Sequence, residues 1–168
     1  MILKNSNKIL FINVSLVFLI FLIDRISKIY VINLDKKLLS SEIYTSKFLN
    51  ISLVWNEGIA FGLFSFNKEN FYDILTGLIF LIIFGIIYIS FRSKGFQRFS
   101  YLMILGGAFG NVFDRVTTRS VPDFIDFHVG NFHWFIFNVS DIFITIGIIL
   151  MILIEIINKP EATNNEKI

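Results

Sequence analysis

The chain has 168 residues, 55% of them hydrophobic and 17% charged, with a net charge of +2 and no cysteine. Soluble domains run at roughly 45–50% apolar and 25% charged residues, so this composition, with a mean hydropathy of +0.71, is that of a membrane protein. The missing cysteine excludes a thiol nucleophile, a Cys-ligated metal and a disulfide, and so small a net charge gives no reason to expect a nucleic-acid partner.

Charge-free runs cover Ile9–Ile23, Ile74–Phe91, Phe99–Phe113 and Ile142–Ile154. Extended by their polar ends, they predict four transmembrane helices over about 9–31, 70–91, 97–115 and 139–158, each near the roughly 20 residues that cross a bilayer core. The first follows Lys4 and Lys8 but lacks a small-residue cleavage site, so it reads as a retained helix rather than a secretory leader. Asp24 and Lys28 lie near its outer end, four residues apart on one face, where they can pair. An external region of about 40–66 follows. There Leu49, Ile51, Leu53 and Trp55 alternate with Phe48, Asn50, Ser52 and Val54, the period of a strand, which predicts a small extracytoplasmic sheet. Asn56 then opens "NEGIAFGLF", where Gly58 and Gly62 allow turns.

The third predicted helix ends in "GGAFGNVFDR", with Gly106, Gly107 and Gly110 suited to tight helix contact and Asn111, Asp114 and Arg115 at the outer end. The connection after it, about 114–135, reads as a loop holding Asp123 and Asp126. His128 and His133 lie there among aromatics, and are expected to be interfacial residues beside Trp134 rather than metal ligands. Asn138 and Asp141 open the fourth helix, and a short polar tail, 159–168, ends the chain. Basic residues before the first span (Lys4, Lys8), between the second and third (Arg92, Lys94, Arg98) and after the fourth (Lys159, Lys167) place those segments, and both termini, in the cytoplasm. The expected fold is an all-α polytopic membrane protein: four transmembrane helices with a small extracytoplasmic sheet or cradle, forming one membrane-embedded domain over 1–158.

Singly, the polar residues have ordinary explanations. Asp24 and Lys28 make a helix-end ion pair, Arg115 complements a helix C-terminus, Asp141 is a first-turn acid and Asp123 a turn aspartate. Together they place an excess of acids and amides at one membrane face, where ionisable groups are costly and mark sites. If Asp123, in a loop, and Asp141, opening a helix, fold onto each other, both cannot comfortably ionise, and the pair holds one proton. One carboxylate then takes a proton from a water attacking an amide carbonyl, while the protonated one polarises the carbonyl oxygen. That chemistry needs no metal, thiol or histidine. Two rival readings remain: a small ion or proton transporter, which would put acids near span centres, and a non-enzymatic scaffold in which the acids only cap and solubilise.

"DRISK" (24–28), "NEGIAF" (56–61), "GGAFGNVFDR" (106–115), "VPDF" (121–124) and "FNVSD" (137–141) resemble, in order, the motif set of the bacterial lipoprotein signal peptidases, the signal peptidase II family of membrane aspartyl proteases. The resemblance implies a hydrolase of the inner membrane that removes the signal peptide of a diacylglyceryl-modified prolipoprotein just before the lipidated cysteine, at the outer face. It implies Asp123 and Asp141 as the catalytic pair, with Asp24, Lys28, Asn56, Gly58, Ala60, Asn111, Asp114, Arg115 and Asn138 shaping the site and positioning substrate. Asp126 is expected to be a non-catalytic loop acid. No metal or other cofactor is expected; the partners are lipidated prolipoproteins and membrane lipid, and the enzyme is expected to be a monomer. Three positions depart from the family's pattern, Ile59, Pro122 and Ser140, and Pro122 also removes a backbone N–H next to Asp123. The external strand and the "NEGIAF" turn, with Trp55 and Phe61, are expected to clamp the substrate.

Overall fold

The computed structural model describes residues 2–38, 42–58 and 68–158. In chain order these form α1 (Ile2–Leu38), β1 (Glu42–Thr45), β2 (Leu49–Asn56), α2 (Lys68–Arg92), α3 (Gly95–Thr118), β3 (Val121–Val129), β4 (Phe132–Phe137) and α4 (Val139–Ile157). With 37 residues at ~1.5 Å each, α1 is about 55 Å long and outruns a bilayer core. Among the described residues three stretches are long and apolar enough to cross a membrane, Asn7–Leu38, Tyr72–Arg92 and Val139–Ile157. The helix α3 is not among them. Gln97, Arg98, Ser100, Asn111, Asp114 and Arg115 dilute its hydropathy, for a reason the packing supplies: α3 is the central helix and contacts α1, α2 and α4.

Around α3 the apolar contacts divide in two. Ile83, Leu102, Leu105 and Val112 form one buried cluster with Val17, Ile87 and Phe109 packed on it, which joins α1, α2 and α3. Val31, Leu53 and Phe124 form another, with Ile43, Ile51, Ile125 and Val139, which seats the sheet on the far end of α1 and the start of α4. Elsewhere large apolar side chains face outward along the helices, Phe11, Ile74, Phe84 and Ile156 among them, as expected of surfaces solvated by lipid tails.

Close approach of the helices rests on the glycines of α3. A Cβ at Gly106 would lie 2.7 Å from Cβ of Ile20 on α1, and one at Gly107 would run into the backbone of Ser140 and 2.8 Å from Ile144 on α4. Since lipid tails are as apolar as the side chains, membrane helices gain association energy from such small-residue packing rather than from water exclusion.

The sheet is antiparallel with strand order β1-β2-β3-β4. The strand expected around Leu49–Trp55 is β2. The connection after α3 is not the loop expected from the sequence: it is a hairpin of β3 and β4 turned at Gly130-Asn131, Gly130 having φ +61°. Asp123 and Asp126 therefore lie in a strand. No alternation marked it because the first half of β3 is buried on both faces, with Asp123 on one and Asp126 on the other. Pro122, the second residue of β3, is fully buried opposite Trp55 of β2, but β4 pairs with β3 only from Ile125 onward, so the proline sits at a position with a strand on one side only, where it is tolerated.

The glycine packing gives a direct test. Gly107→Ala should destabilise the protein by about 1–3 kcal/mol through overpacking, whereas Gly85→Ala in α2, where an added Cβ meets nothing within 4 Å, should be neutral or slightly stabilising. Thermal unfolding in detergent distinguishes them; equal effects would mean that α3 and α4 are not in close contact.

Candidate active site

Two polar clusters meet where α1, α3 and α4 join the sheet. The first is built on Lys28, whose side chain is 1% exposed. Its Nζ donates to Asn111 Oδ1 (2.9 Å) and Asp114 Oδ2 (2.7 Å) and pairs with Asp24 Oδ2 (2.9 Å). Arg25 adds a second cation, forking onto both oxygens of Asp114 and reaching Asp24 at 3.1 Å, while its guanidinium lies over the Phe113 ring. Two cations and two carboxylates thus neutralise one another in a buried pocket, which is how charge is tolerated there. The expected Asp24–Lys28 pair is present but is half of a larger cluster. Arg25 is absent from the residues expected to shape the site; its signal is a third ionisable group in the same two turns of a membrane helix.

The second cluster holds the two candidate catalytic acids. Asp123 Oδ1 accepts from Asn138 Nδ2 (2.6 Å) and Oδ2 from Asn56 Nδ2 (2.9 Å). Asp141 Oδ1 accepts from Asn111 Nδ2 (2.8 Å) and Oδ2 from the Asn138 backbone N–H (3.0 Å). Among the described residues, every carboxylate oxygen of the pair is met by one amide donor, and none by a cation. Asn138, fully buried, serves both acids: its side chain holds Asp123, and with Asp141 it forms the reciprocal capping box that starts α4. Asn111 joins the clusters, accepting from Lys28 and donating to Asp141, so Lys28 fixes which end of that amide faces the acid. Gly58 does the same for Asn56. At φ +81° its N–H donates to Asn56 Oδ1 (2.7 Å), leaving Nδ2 for Asp123. A side chain at Gly58 would be strained and would meet Arg115, 2.8 Å from the Cβ position.

Asp123 and Asp141 both line a groove of about 1110 Å³ whose other walls include Asn56, Phe127, His128, Trp134, Phe135, Phe137, Ile142 and Ile146. That exceeds the usual 300–1,000 Å³ of small-molecule pockets and suits an extended apolar chain. Burial pushes the Asp123 carboxyl up to about 6 from the ordinary 3.8; the amides of Asn56 and Asn138 pull the other way and the Asp141 charge adds to the rise. Folded protein therefore keeps this proton in a window where an unfolded chain has lost it. The contribution to stability is full below 3.8 and falls away as the pH rises through about 6.

Of the remaining candidates, Arg115 does not join the acids: it lies against Gly58 and the Tyr72 ring. Asp126 bonds to Asn50 and His133 instead. Ser140 is fully buried, and its N–H donates to Asp24 Oδ1 (3.0 Å), tying α4 to α1. Trp55 is half-exposed on β2. Ile59, Ala60 and Phe61, the second half of "NEGIAF", lie outside the described residues.

A family profile described as Signal peptidase (SPase) II matches residues 16–157. The chain belongs to this family. It is similar to the lipoprotein signal peptidase of Pelagibacter ubique (strain HTCC1062), 45% identical over 163 residues, 97% of this chain and 98% of that protein. It is also similar to the lipoprotein signal peptidase of Anaplasma phagocytophilum (strain HZ), 36% identical over 83% of this chain and 88% of that protein. A solved structure described as a bacterial membrane enzyme, obtained by the in meso method at 2.3 Å resolution, superposes with a TM-score of 0.69 at 29% identity and covers 93% of each chain. A second, at 1.9 Å, gives 0.69 at 31% identity over 88% of this chain and 93% of that one. The family places the protein among membrane peptidases.

The amide contacts make a pH test. Asn56→Ala removes a donor that favours the ionised carboxylate, so the Asp123 midpoint should move up from about 6. Carbon-13 NMR of the labelled carboxyl would read it, and a midpoint that stayed put or fell would mean that the Asn56 contact does not form.

Proposed function

We propose that the protein is a membrane aspartyl endopeptidase that removes the signal peptide of diacylglyceryl-modified prolipoproteins, cutting just before the lipidated cysteine. Membership of the signal peptidase II family supports the substrate. The observation that carries the chemistry is the meeting of Asp123 and Asp141 on one groove, held by a shared Asn138 and, among the described residues, by amide donors only.

Each acid has a part in this reading. The pair shares one proton, in keeping with an Asp123 carboxyl pushed up to about 6. The ionised member takes a proton from water as the water oxygen bonds to the scissile carbonyl carbon, and the protonated member donates to the carbonyl oxygen. Collapse of the tetrahedral adduct breaks the C–N bond: the nitrogen of the departing lipidated cysteine takes up a proton from the pair while one hydroxyl of the adduct returns its proton to the pair, restoring the single shared proton. Amide donors suit the task because they orient both carboxylates without locking either into the ionised form, as a contacting cation would. Asp24, Lys28, Asn111, Asp114 and Asn138 position the pair; Asn56 with Gly58 trains the amide on Asp123; Arg115 supports that turn. Ala60 is counted with the substrate-positioning residues in this reading.

All four helices, α3 included, cross the inner membrane with both termini in the cytoplasm, so the acids lie at the outer face with the groove open to lipid and water. The 1–158 segment is one membrane-embedded peptidase domain that acts as a monomer, and 159–168 is a cytoplasmic tail. Gathering of the buried acids at one end of the helices favours this over a transporter, which would carry them near span centres.

Purified enzyme in detergent, given a diacylglyceryl-modified prolipoprotein, should produce the mass shift of cleavage before the modified cysteine. Asp123→Asn and Asp141→Asn should each fold yet lose activity by on the order of 10³-fold or more, and an unlipidated precursor should be cut far more slowly. Full activity in either variant would remove that residue from the pair.

A further inference from the structure

Away from the two acids, the β3–β4 hairpin gathers a second set of ligand-bearing side chains. His128 and His133 are cross-strand partners with rings stacked 5.0 Å apart at 18°. Asp126, 5% exposed, brings its Oδ2 to 2.8 Å from His133 Nδ1 and 3.3 Å from the Asn50 amide. Asp126 Oδ1 and His128 Nδ1 are each buried without a hydrogen-bond partner among the described residues. Two bare polar atoms in one small cluster are costly, and such pairs usually mark an ion or water. One ring nitrogen from each histidine and one Asp126 oxygen all lie within 4.8 Å of one another.

We propose that Asp126, His128 and His133 bind a divalent transition-metal ion, Zn²⁺ being the best match, that staples β3 to β4 at the rim of the groove. Two imidazoles and a carboxylate are a borderline nitrogen and oxygen set; they suit Zn²⁺ and exclude the all-oxygen shells of Mg²⁺ and Ca²⁺. Tetrahedral ligands about 2 Å from the ion stand roughly 3.3 Å apart, so binding requires the present separations, at most 4.8 Å, to close and the stacked rings to turn one nitrogen each toward a common point. Asn50, donating to the carboxylate, orients it from behind. A fourth position is left for water. The ion takes no part in cleavage: Asp123 and Asp141 keep their own amide partners. Its effect is on shape, because His128 lines the groove and β4, carrying Trp134, Phe135 and Phe137, runs straight into Asn138 and α4. The site departs from the expectation that the two histidines are merely interfacial, and it stands whether or not the peptidase reading holds.

The test uses full-length protein in detergent, freed of any histidine tag and stripped with a chelator. Zn²⁺ is titrated in competition with a chromophoric chelator against wild type, His128→Gln, His133→Gln and the double variant. The expected result is one equivalent bound by wild type, affinity at least tenfold weaker in each single variant, and a Zn²⁺-dependent rise in Tm that the double variant lacks. Co²⁺ in place of Zn²⁺ should give the absorption bands of a tetrahedral site in wild type only. His133, whose side chain is 51% exposed, tolerates replacement and carries the test alone if His128→Gln fails to fold. Failure of wild type to bind stoichiometrically, or equal affinity in His133→Gln, overturns the proposal.

Discussion

A single ammonium, Lys28 Nζ, connects α1 to everything that matters in this protein. It bonds Asp24 on its own helix and Asn111 and Asp114 on α3. Through Asn111 it reaches Asp141, and through Asp24 the backbone of Ser140, so the start of α4 is tied to α1 and α3 by the same charge. In a bilayer there is no hydrophobic drive to choose one helix arrangement over another. A buried charge cluster supplies that choice because a mispacked helix would leave an uncompensated ion in a low-dielectric surrounding. Arg25 makes the cluster neutral, and the small residues of α3 let the helices come close enough to form it.

From this anchor the two acids of the groove inherit their positions. Asp141 is fixed from one side by Asn111 and from the other by the capping box with Asn138. Asp123 comes from a different element, the first residues of β3, and meets α4 because Asn138 reaches back to it and because β2 pairs alongside and supplies Asn56. The sheet is thus no decoration on a helical protein: it delivers one acid while the helices deliver the other.

The sequence made much of this legible, and for a physical reason. Charges are scarce in a chain for lipid, so each ionisable residue in an apolar run stands out, and Asp24, Lys28, Asn111, Asp114, Asn138 and Asp141 do meet at one place. Period-two alternation exposed β2. The hairpin of β3 and β4 stayed hidden, although Gly130-Asn131 between aromatic runs is a turn signal, because the first half of β3 is buried on both faces and carries one aspartate on each, Asp123 and Asp126, so no polar–apolar alternation shows. Arg115 was grouped with the acids by its neighbours in the motif, yet the last turn of α3 directs it to Gly58 and Tyr72. Tertiary contacts of that kind have no periodicity to read. All four helices read as spans from their charge-free runs, but only three of them are long and apolar enough by hydropathy; α3 is more polar, and it is the helix that packs against the other three.

The claim that one buried cluster organises the fold is tested most directly by a double-mutant cycle on Lys28→Met and Asp114→Asn, read as unfolding free energy in mixed micelles. Each single change should cost about 3–5 kcal/mol, because it strands a buried partner, and the double variant should cost clearly less than the two together, by about 1 kcal/mol or more of coupling. Additive losses, or a Lys28→Met protein as stable as wild type, would mean that the helices are held by apolar packing alone and that the cluster does not organise the site.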